Sequence, residues 1–126
     1  MKLSIIIPTL NEENNICSLL QQLHRINDDR IVEIIVADGG STDDTCEYAK
    51  HYPIILLDLK KKSRAYQMNE AVKVSKGDTL YFIHADTRPP ISFVDDIQES
   101  LQEGFQIGSY SFQLDSPDPR LSLIHI

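Results

Sequence analysis

The 126-residue chain reads as an α/β domain built on a doubly wound, mostly parallel sheet. Three observations predict this. Short apolar runs such as Ser4-Ile5-Ile6-Ile7 and Ile34-Ile35-Val36-Ala37 lack polar alternation, so they suit strands buried on both faces. Stretches with apolar residues three and four apart lie between such runs, as crossover helices do. Polar and acidic residues follow the runs, at the carboxyl ends of strands, where a sheet of this class binds ligands.

The first strand is predicted over residues 3–7, and Ile16, Leu19, Leu20, Leu23 and Ile26 then form one stripe of a helix over 12–25. Asn11 stands where a helix cap is expected. A second strand is predicted over 31–37, followed by a short helix from Thr42 or Asp43 to Lys50, capped by Ser41 or Thr42 and with acids in its first turn. A third strand covers 54–57. The next helix, over 63–75, is expected to bury Ala65, Met68, Ala71 and Val72 and to end at Gly77. A fourth strand covers 79–83, and after Pro89-Pro90 the residues Phe93, Val94, Ile97 and Leu101 mark a fourth helix. A fifth strand is predicted within 105–114, before the turn Ser116-Pro117-Asp118-Pro119. The chain then stops in an apolar run, 121–126, so the expectation is one domain over 1–126 that forms the N-terminal, nucleotide-binding part of a larger one.

The composition, 41% hydrophobic and 25% charged without a low-complexity tract, suits a folded domain. A net charge of −7 argues against a nucleic-acid partner, which would need a basic face. The basic cluster Lys60-Lys61-Lys62-Ser63-Arg64 reads as a solvated loop, or as an anion contact through Arg64. Cys17 and Cys46 lack CxxC spacing, so neither a zinc site nor a disulfide framework is expected. The first apolar run is too short for a signal peptide and no stretch reaches the length of a membrane span, which points to the cytoplasm.

No GxGxxG follows the first strand and no GxxxxGK[ST] occurs, so a dinucleotide oxidoreductase and a P-loop NTPase lose their central evidence. The strand ends carry Thr9 and Asn11, then Asp38-Gly39-Gly40-Ser41, Asp58, and His84-Ala85-Asp86. Asp86 reads either as a turn residue before Thr87-Arg88-Pro89 or as a ligand for magnesium or manganese, which take carboxylate and phosphate oxygens. Asp38 reads as a turn residue or as an acceptor for a base N–H, with Gly39 and Gly40 letting a ligand approach the backbone. Glu12 suits a first helical turn, and His84 reads as a neutral, satisfied histidine rather than a metal ligand.

Four stretches in this order carry a resemblance: Ser4-Ile5-Ile6-Ile7-Pro8-Thr9-Leu10-Asn11-Glu12-Glu13-Asn14, Val36-Ala37-Asp38-Gly39-Gly40-Ser41-Thr42-Asp43-Asp44-Thr45, Arg64-Ala65-Tyr66-Gln67-Met68-Asn69 and His84-Ala85-Asp86-Thr87. The chain resembles the family 2 glycosyltransferases, which use nucleotide-sugar donors on a Rossmann-like sheet of the GT-A type. The resemblance implies a donor site in which Pro8, Thr9, Asn11 and Glu12 lie along the nucleoside, Asp38 and Gly39 meet the base, and Arg64 approaches base or diphosphate. Asn69, His84 and Ala85 complete the donor contacts it implies, and Asp86 becomes the last acid of a DxD-type motif that holds manganese or magnesium on the diphosphate. The implied reaction is inverting transfer, with UDP-sugar the expected donor and a sugar, lipid-linked or small-molecule acceptor. The motif's first acid is His84 here and the glycine often found before Arg64 is Ser63, a form similar to a bacterial subgroup. Nothing after Thr87 matches the family's later acidic motif, so no general base is assigned; Asp95, Asp96 and Glu99 read as the solvent face of a helix.

Two other classes fit parts of the pattern. A receiver-type signalling domain would use Asp58, after the third strand, as phospho-acceptor, but Pro8-Thr9-Leu10 offers no acidic pair for magnesium. A nucleotide-binding module without catalysis is the second.

Overall fold

The computed structural model describes residues 1–103 and 123–125. Its elements alternate as β1 (Leu3–Thr9), α1 (Ile16–Ile26), β2 (Ile31–Asp38), α2 (Thr45–Ala49), β3 (Ile55–Asp58), α3 (Arg64–Val74), β4 (Thr79–Phe82), α4 (Phe93–Gln102) and β5 (Leu123–His125). The sheet order is β3-β2-β1-β4-β5 with every pairing parallel. The expected fold class is the observed one.

The absence of polar alternation has a direct structural cause. Leu3, Ile5 and Ile7 of β1, Ile34 and Val36 of β2 and Tyr81 of β4 pack with Leu19, Leu20 and Leu23 of α1 and Phe93, Val94 and Ile97 of α4. The intervening residues Ile6, Ile35, Ala37, Leu80 and Phe82 pack on the other face with Met68, Ala71 and Val72 of α3. Each central strand therefore feeds two cores, and a polar residue at either parity would be buried. On the first face, Tyr81 and Phe93 stack with ring centroids 5.3 Å apart.

Several local expectations are corrected. Asn11 does not cap α1: the helix begins at Ile16 after Asn15, and Asn11 has φ 55°, a left-handed conformation that asparagine tolerates. Before the helix, Glu12 N and Glu13 N donate to Thr45 Oγ1 and Asp43 Oδ2 beyond β2, and Asn15 N and Ile16 N both donate to the Glu12 carbonyl oxygen. α2 is shorter than expected and begins after Asp44 rather than Ser41 or Thr42. Ala65 is exposed rather than buried, whereas Gln67 and Asn69 of α3 are buried. The helix ends at Ser75. Gly77 serves a different purpose, since a Cβ there would lie 2.5 Å from Ser4 Oγ and 2.6 Å from the Lys2 carbonyl oxygen. The fifth strand predicted within 105–114 lies outside the described residues; the observed β5 comes from the apolar run at 121–126, to which the sequence pattern assigns no element.

Sheet order also decides against a receiver-type domain. In that class the third strand lies beside the first, in the order 2-1-3-4-5. Here β3 is at the far side of β2, and Asp58 pairs in register with Asp38. Asp58 is thus two strands removed from the centre of the sheet.

Candidate functional site

The chain leaves β1 toward β2 on one side, and β4 returns on the other. This reversal opens a crevice at the carboxyl ends of β1 and β4, the place where doubly wound sheets bind ligands. Pro8 helps to open it. The Ile6 carbonyl oxygen accepts from Ile83 N at 3.0 Å on the β4 side, and the Thr9 carbonyl oxygen accepts from Gly39 N at 2.9 Å on the β2 side. Pro8 shares the parity of Ile6 and faces β4 beyond the end of its pairing at Phe82. A residue without an N–H therefore costs no ladder bond there.

A cleft of about 430 Å³ fills this position. Of the residues expected from the sequence, Pro8, Thr9, Glu12, Arg64, His84, Ala85 and Asp86 line it. Leu10, Lys62 and Gln67 line it too, although sequence reasoning gave them no role. The signal for Gln67 was its spacing, one turn beyond Arg64 on the same helical face; Lys62 lay hidden in the basic run. Ser63 is the N-cap of α3, accepting from Tyr66 N at 3.3 Å, and so fixes where the helix bearing Arg64 and Gln67 begins.

Asn11, Asp38, Gly39 and Asn69 stand outside the cleft lining. Asn11 bridges two loops: its N–H donates to Ser41 Oγ at 2.8 Å, and its Oδ1 accepts from Thr42 N at 2.8 Å. The same two loops are joined by Glu12 N donating to Thr45 Oγ1 at 2.8 Å and Asp44 N donating to Glu13 Oε2 at 3.1 Å. Asp38 is only 1% exposed. Its carboxylate accepts from Thr9 Oγ1 at 2.7 Å, Ser41 Oγ at 2.6 Å, Ser41 N at 2.8 Å and Gly40 N at 3.0 Å. Burial works to raise its pKa, but the hydrogen bonds from Ser41, Thr9 and Gly40 outweigh it and hold the carboxyl below the usual 3.8. Gly40 needs its freedom, with φ 101°. The space beside Gly39 is filled by Gln67 rather than left for a ligand. Asn69 is buried in α3.

The electrostatics of the cleft are mixed. Burial, and next the Arg64 guanidinium, lower the pKa of His84 below 6.5, against the opposing pull of Asp86 and Glu12. Both effects favour the neutral imidazole. Asp86 and Arg64 are exposed at the rim. Among the described residues no group of three or more histidine, cysteine or acidic side chains could hold a metal ion, and no helix is long and apolar enough to cross a membrane. Asp95, Asp96 and Glu99 are exposed on α4, as their pattern implied.

Comparison with known proteins agrees with this arrangement. The family model described as Glycosyl transferase family 2 matches residues 4–121. A dolichol-phosphate mannosyltransferase of Pyrococcus furiosus is 30% identical over 112 residues, which are 85% of this chain and 32% of that protein. The structure of glucosyl-3-phosphoglycerate synthase from Mycobacterium tuberculosis, in complex with Mn2+, UDP and glucosyl-3-phosphoglycerate, is similar with TM-score 0.69 and 28% identity, over 79% of this chain and 39% of that one. S. aureus TarS, in complex with UDP-GlcNAc, is similar with TM-score 0.69 and 26% identity, over 82% of this chain and 32% of that one. The chain spans well under half the length of each of these proteins. With a match that runs from the first strand almost to the last, on a sheet of the same fold, the chain belongs to glycosyl transferase family 2.

Proposed function

We propose that the cleft binds the nucleoside diphosphate of a sugar donor, with UDP-sugar as the donor class, and that the protein transfers the sugar to an acceptor hydroxyl. The observation that carries this reading is the meeting of Glu12, Arg64, His84 and Asp86 in one cleft at the β1–β4 crevice. Two similar structures contain UDP or UDP-GlcNAc, one of them with Mn2+.

The residues present fit a divalent cation held mainly by its ligand. Such an ion on a diphosphate takes one or two protein carboxylates and fills its remaining positions with phosphate and water oxygens. Asp86 supplies an exposed carboxylate at the rim, while no all-protein cage exists among the described residues. When bound, the cation supplies Lewis-acid stabilisation of the departing diphosphate.

The protein groups divide the remaining work. Arg64 offers a planar fork of donors to diphosphate oxygens, whose negative charge grows as the sugar leaves. Neutral His84 adds a hydrogen-bonding edge without a second cation, and the Ala85 backbone lies beside it. Pro8, Thr9 and Glu12 form the nucleoside side of the cleft. Asp38 meets a base N–H when one of its two hydroxyl donors, from Ser41 or Thr9, turns away; Asn11 and Gly39 hold that loop in place. Asn69, buried on α3, supports the helix that presents Arg64. The His84-Ala85-Asp86 form is similar to that of a bacterial subgroup of the family, and inversion at the anomeric carbon follows the family resemblance. Inverting transfer needs a general base, and none is assigned among the described residues.

Calorimetric titration with UDP and with GDP, each with and without manganese, tests the donor site. Manganese-dependent UDP binding that disappears in Asp86→Ala is expected. Binding indifferent to both manganese and Asp86 would remove the cation from this reading, and a folded chain that binds neither nucleotide would remove the donor site.

A further inference from the structure

We propose that Arg88 is a positioning residue that fixes the direction of Asp86 and couples it to Glu12 across the cleft, an inference that rests on the donor-site reading above. Asp86 is exposed, so side-chain packing does not hold it; its direction depends on the backbone around it. Arg88 grips that backbone on both sides. Its Nη1 donates to the Ala85 carbonyl oxygen at 2.7 Å and to the Thr87 carbonyl oxygen at 2.9 Å. Thr87 N donates to the His84 carbonyl oxygen at 3.0 Å, which closes the turn in which Asp86 stands.

The same guanidinium reaches across to the segment after β1. Nη2 donates to the Asn15 carbonyl oxygen at 3.1 Å, and Asn15 Nδ2 donates to Glu12 Oε2 at 3.0 Å. One planar fork therefore joins the backbone beside the Asp86 carboxylate to the residue that orients the Glu12 carboxylate. These two acids stand on opposite sides of the crevice, one after β4 and one after β1. Lysine could not replace this grip, because an ammonium is a single point of donation on a flexible stem whereas the guanidinium presents five donors in fixed directions. A second tie to the same loop, Gln22 Nε2 donating to the Pro89 carbonyl oxygen at 2.7 Å, lies beyond Asp86 and serves as a natural control.

The test is calorimetry of manganese binding in the presence of UDP, and of UDP alone, for the parent chain and for Arg88→Ala, Arg88→Lys and Gln22→Ala, with thermal unfolding as a check of folding. Loss of Arg88 is expected to lower manganese affinity in the presence of UDP about 10- to 100-fold, the range found when groups behind a metal ligand are removed, and to lower UDP affinity without manganese by less, through Glu12 alone. Arg88→Lys should fall between the two, and Gln22→Ala should match the parent. Unchanged manganese affinity in Arg88→Ala overturns the proposal. So does an equal loss in Gln22→Ala, or a loss of UDP binding without manganese as large as the loss with it. Should Arg88→Ala fail to fold, Arg88→Lys and Arg88→Gln decide by the same criteria. A parent chain without manganese-dependent UDP binding overturns the donor-site reading instead, which separates the two failures.

Discussion

The side-chain amide of Gln67 stands where a side chain on Gly39 would have to be: a Cβ at Gly39 would lie 2.7 Å from Gln67 Oε1 and 2.9 Å from its Cδ. Gln67 cannot move away cheaply, because its Nε2 donates to the Thr9 carbonyl oxygen at 2.9 Å and to the Ala37 carbonyl oxygen at 2.8 Å in a buried position. The glycine is thus required by the protein's own packing, and the amide ties the ends of β1 and β2 to α3.

Gly39→Ala should therefore cost about 1–3 kcal/mol, as overpacking of a filled site does. Gln67→Ala should also destabilise, since it removes two buried hydrogen bonds. The double variant is expected to be more stable than the sum of the two losses by about 1 kcal/mol, because truncating Gln67 makes room for the new methyl group. Urea unfolding of the three variants measures this coupling, and strict additivity would count against the packing explanation.

Asp38 gives the acid limb of stability a specific source. Its folded pKa lies below the unfolded value of 3.8, so its contribution is fully present above that pH and is lost as pH falls through the folded pKa. Asp38→Asn places an amide N–H2 among donors from Thr9, Gly40 and Ser41, and should cost about 2–4 kcal/mol at pH 7. Its stability should also fall less steeply below pH 3.8 than that of the parent. Chemical denaturation at a series of pH values reads both effects.

His84 should titrate below 6.5 by NMR, and its neighbours should move it in opposite directions. Arg64→Gln should raise the midpoint and Asp86→Asn should lower it, since the guanidinium opposes imidazolium formation and the carboxylate favours it. For stability the sign is that of a depressed group: the contribution is present above 6.5 and is lost as pH falls through the folded value. His84→Gln should flatten that part of the stability profile. A midpoint that ignores both neighbours would show that they do not share the cleft with the imidazole.

Asp58 supplies a test against phospho-acceptor chemistry. It is exposed at the end of an edge strand, beside β2 rather than β1. Incubation with acetyl phosphate and magnesium should leave the intact mass unchanged. A phosphoryl adduct lost in Asp58→Ala would require a different account of this sheet edge.

Much of the scaffold was legible because its signals are local. The run Ile5-Ile6-Ile7 is short, β-branched and without polar alternation, which suits a strand buried on both faces, and the stripe from Ile16 to Leu23 has one face to bury. Of the cleft residues, His84 and Asp86 were legible for a similar reason, since polar groups placed just after buried strands gather at one sheet edge in this fold class; Glu12 and Arg64 were singled out by the family resemblance.

Asn11 and Gly39 show where that reasoning stops. Both were assigned by the habits of their residue types, as a helix cap and as a ligand approach, and both instead serve contacts with distant parts of the chain. Asn11 bonds to Thr42, 31 residues away, and Gly39 yields to Gln67 of α3. Neighbours a few residues apart suffice to show that the central strands are buried, that helices separate the strands and that polar groups follow their carboxyl ends, although the same kind of run at Ile55–Asp58 forms a partly exposed edge. The order β3-β2-β1-β4-β5, the saturation of Asp38 by Thr9 from 29 residues away and the anchoring of Gln67 to Thr9 across 58 residues exist only in the folded chain. Contacts at such separations are set by strand order and register, and a local pattern of apolar and polar residues does not contain either.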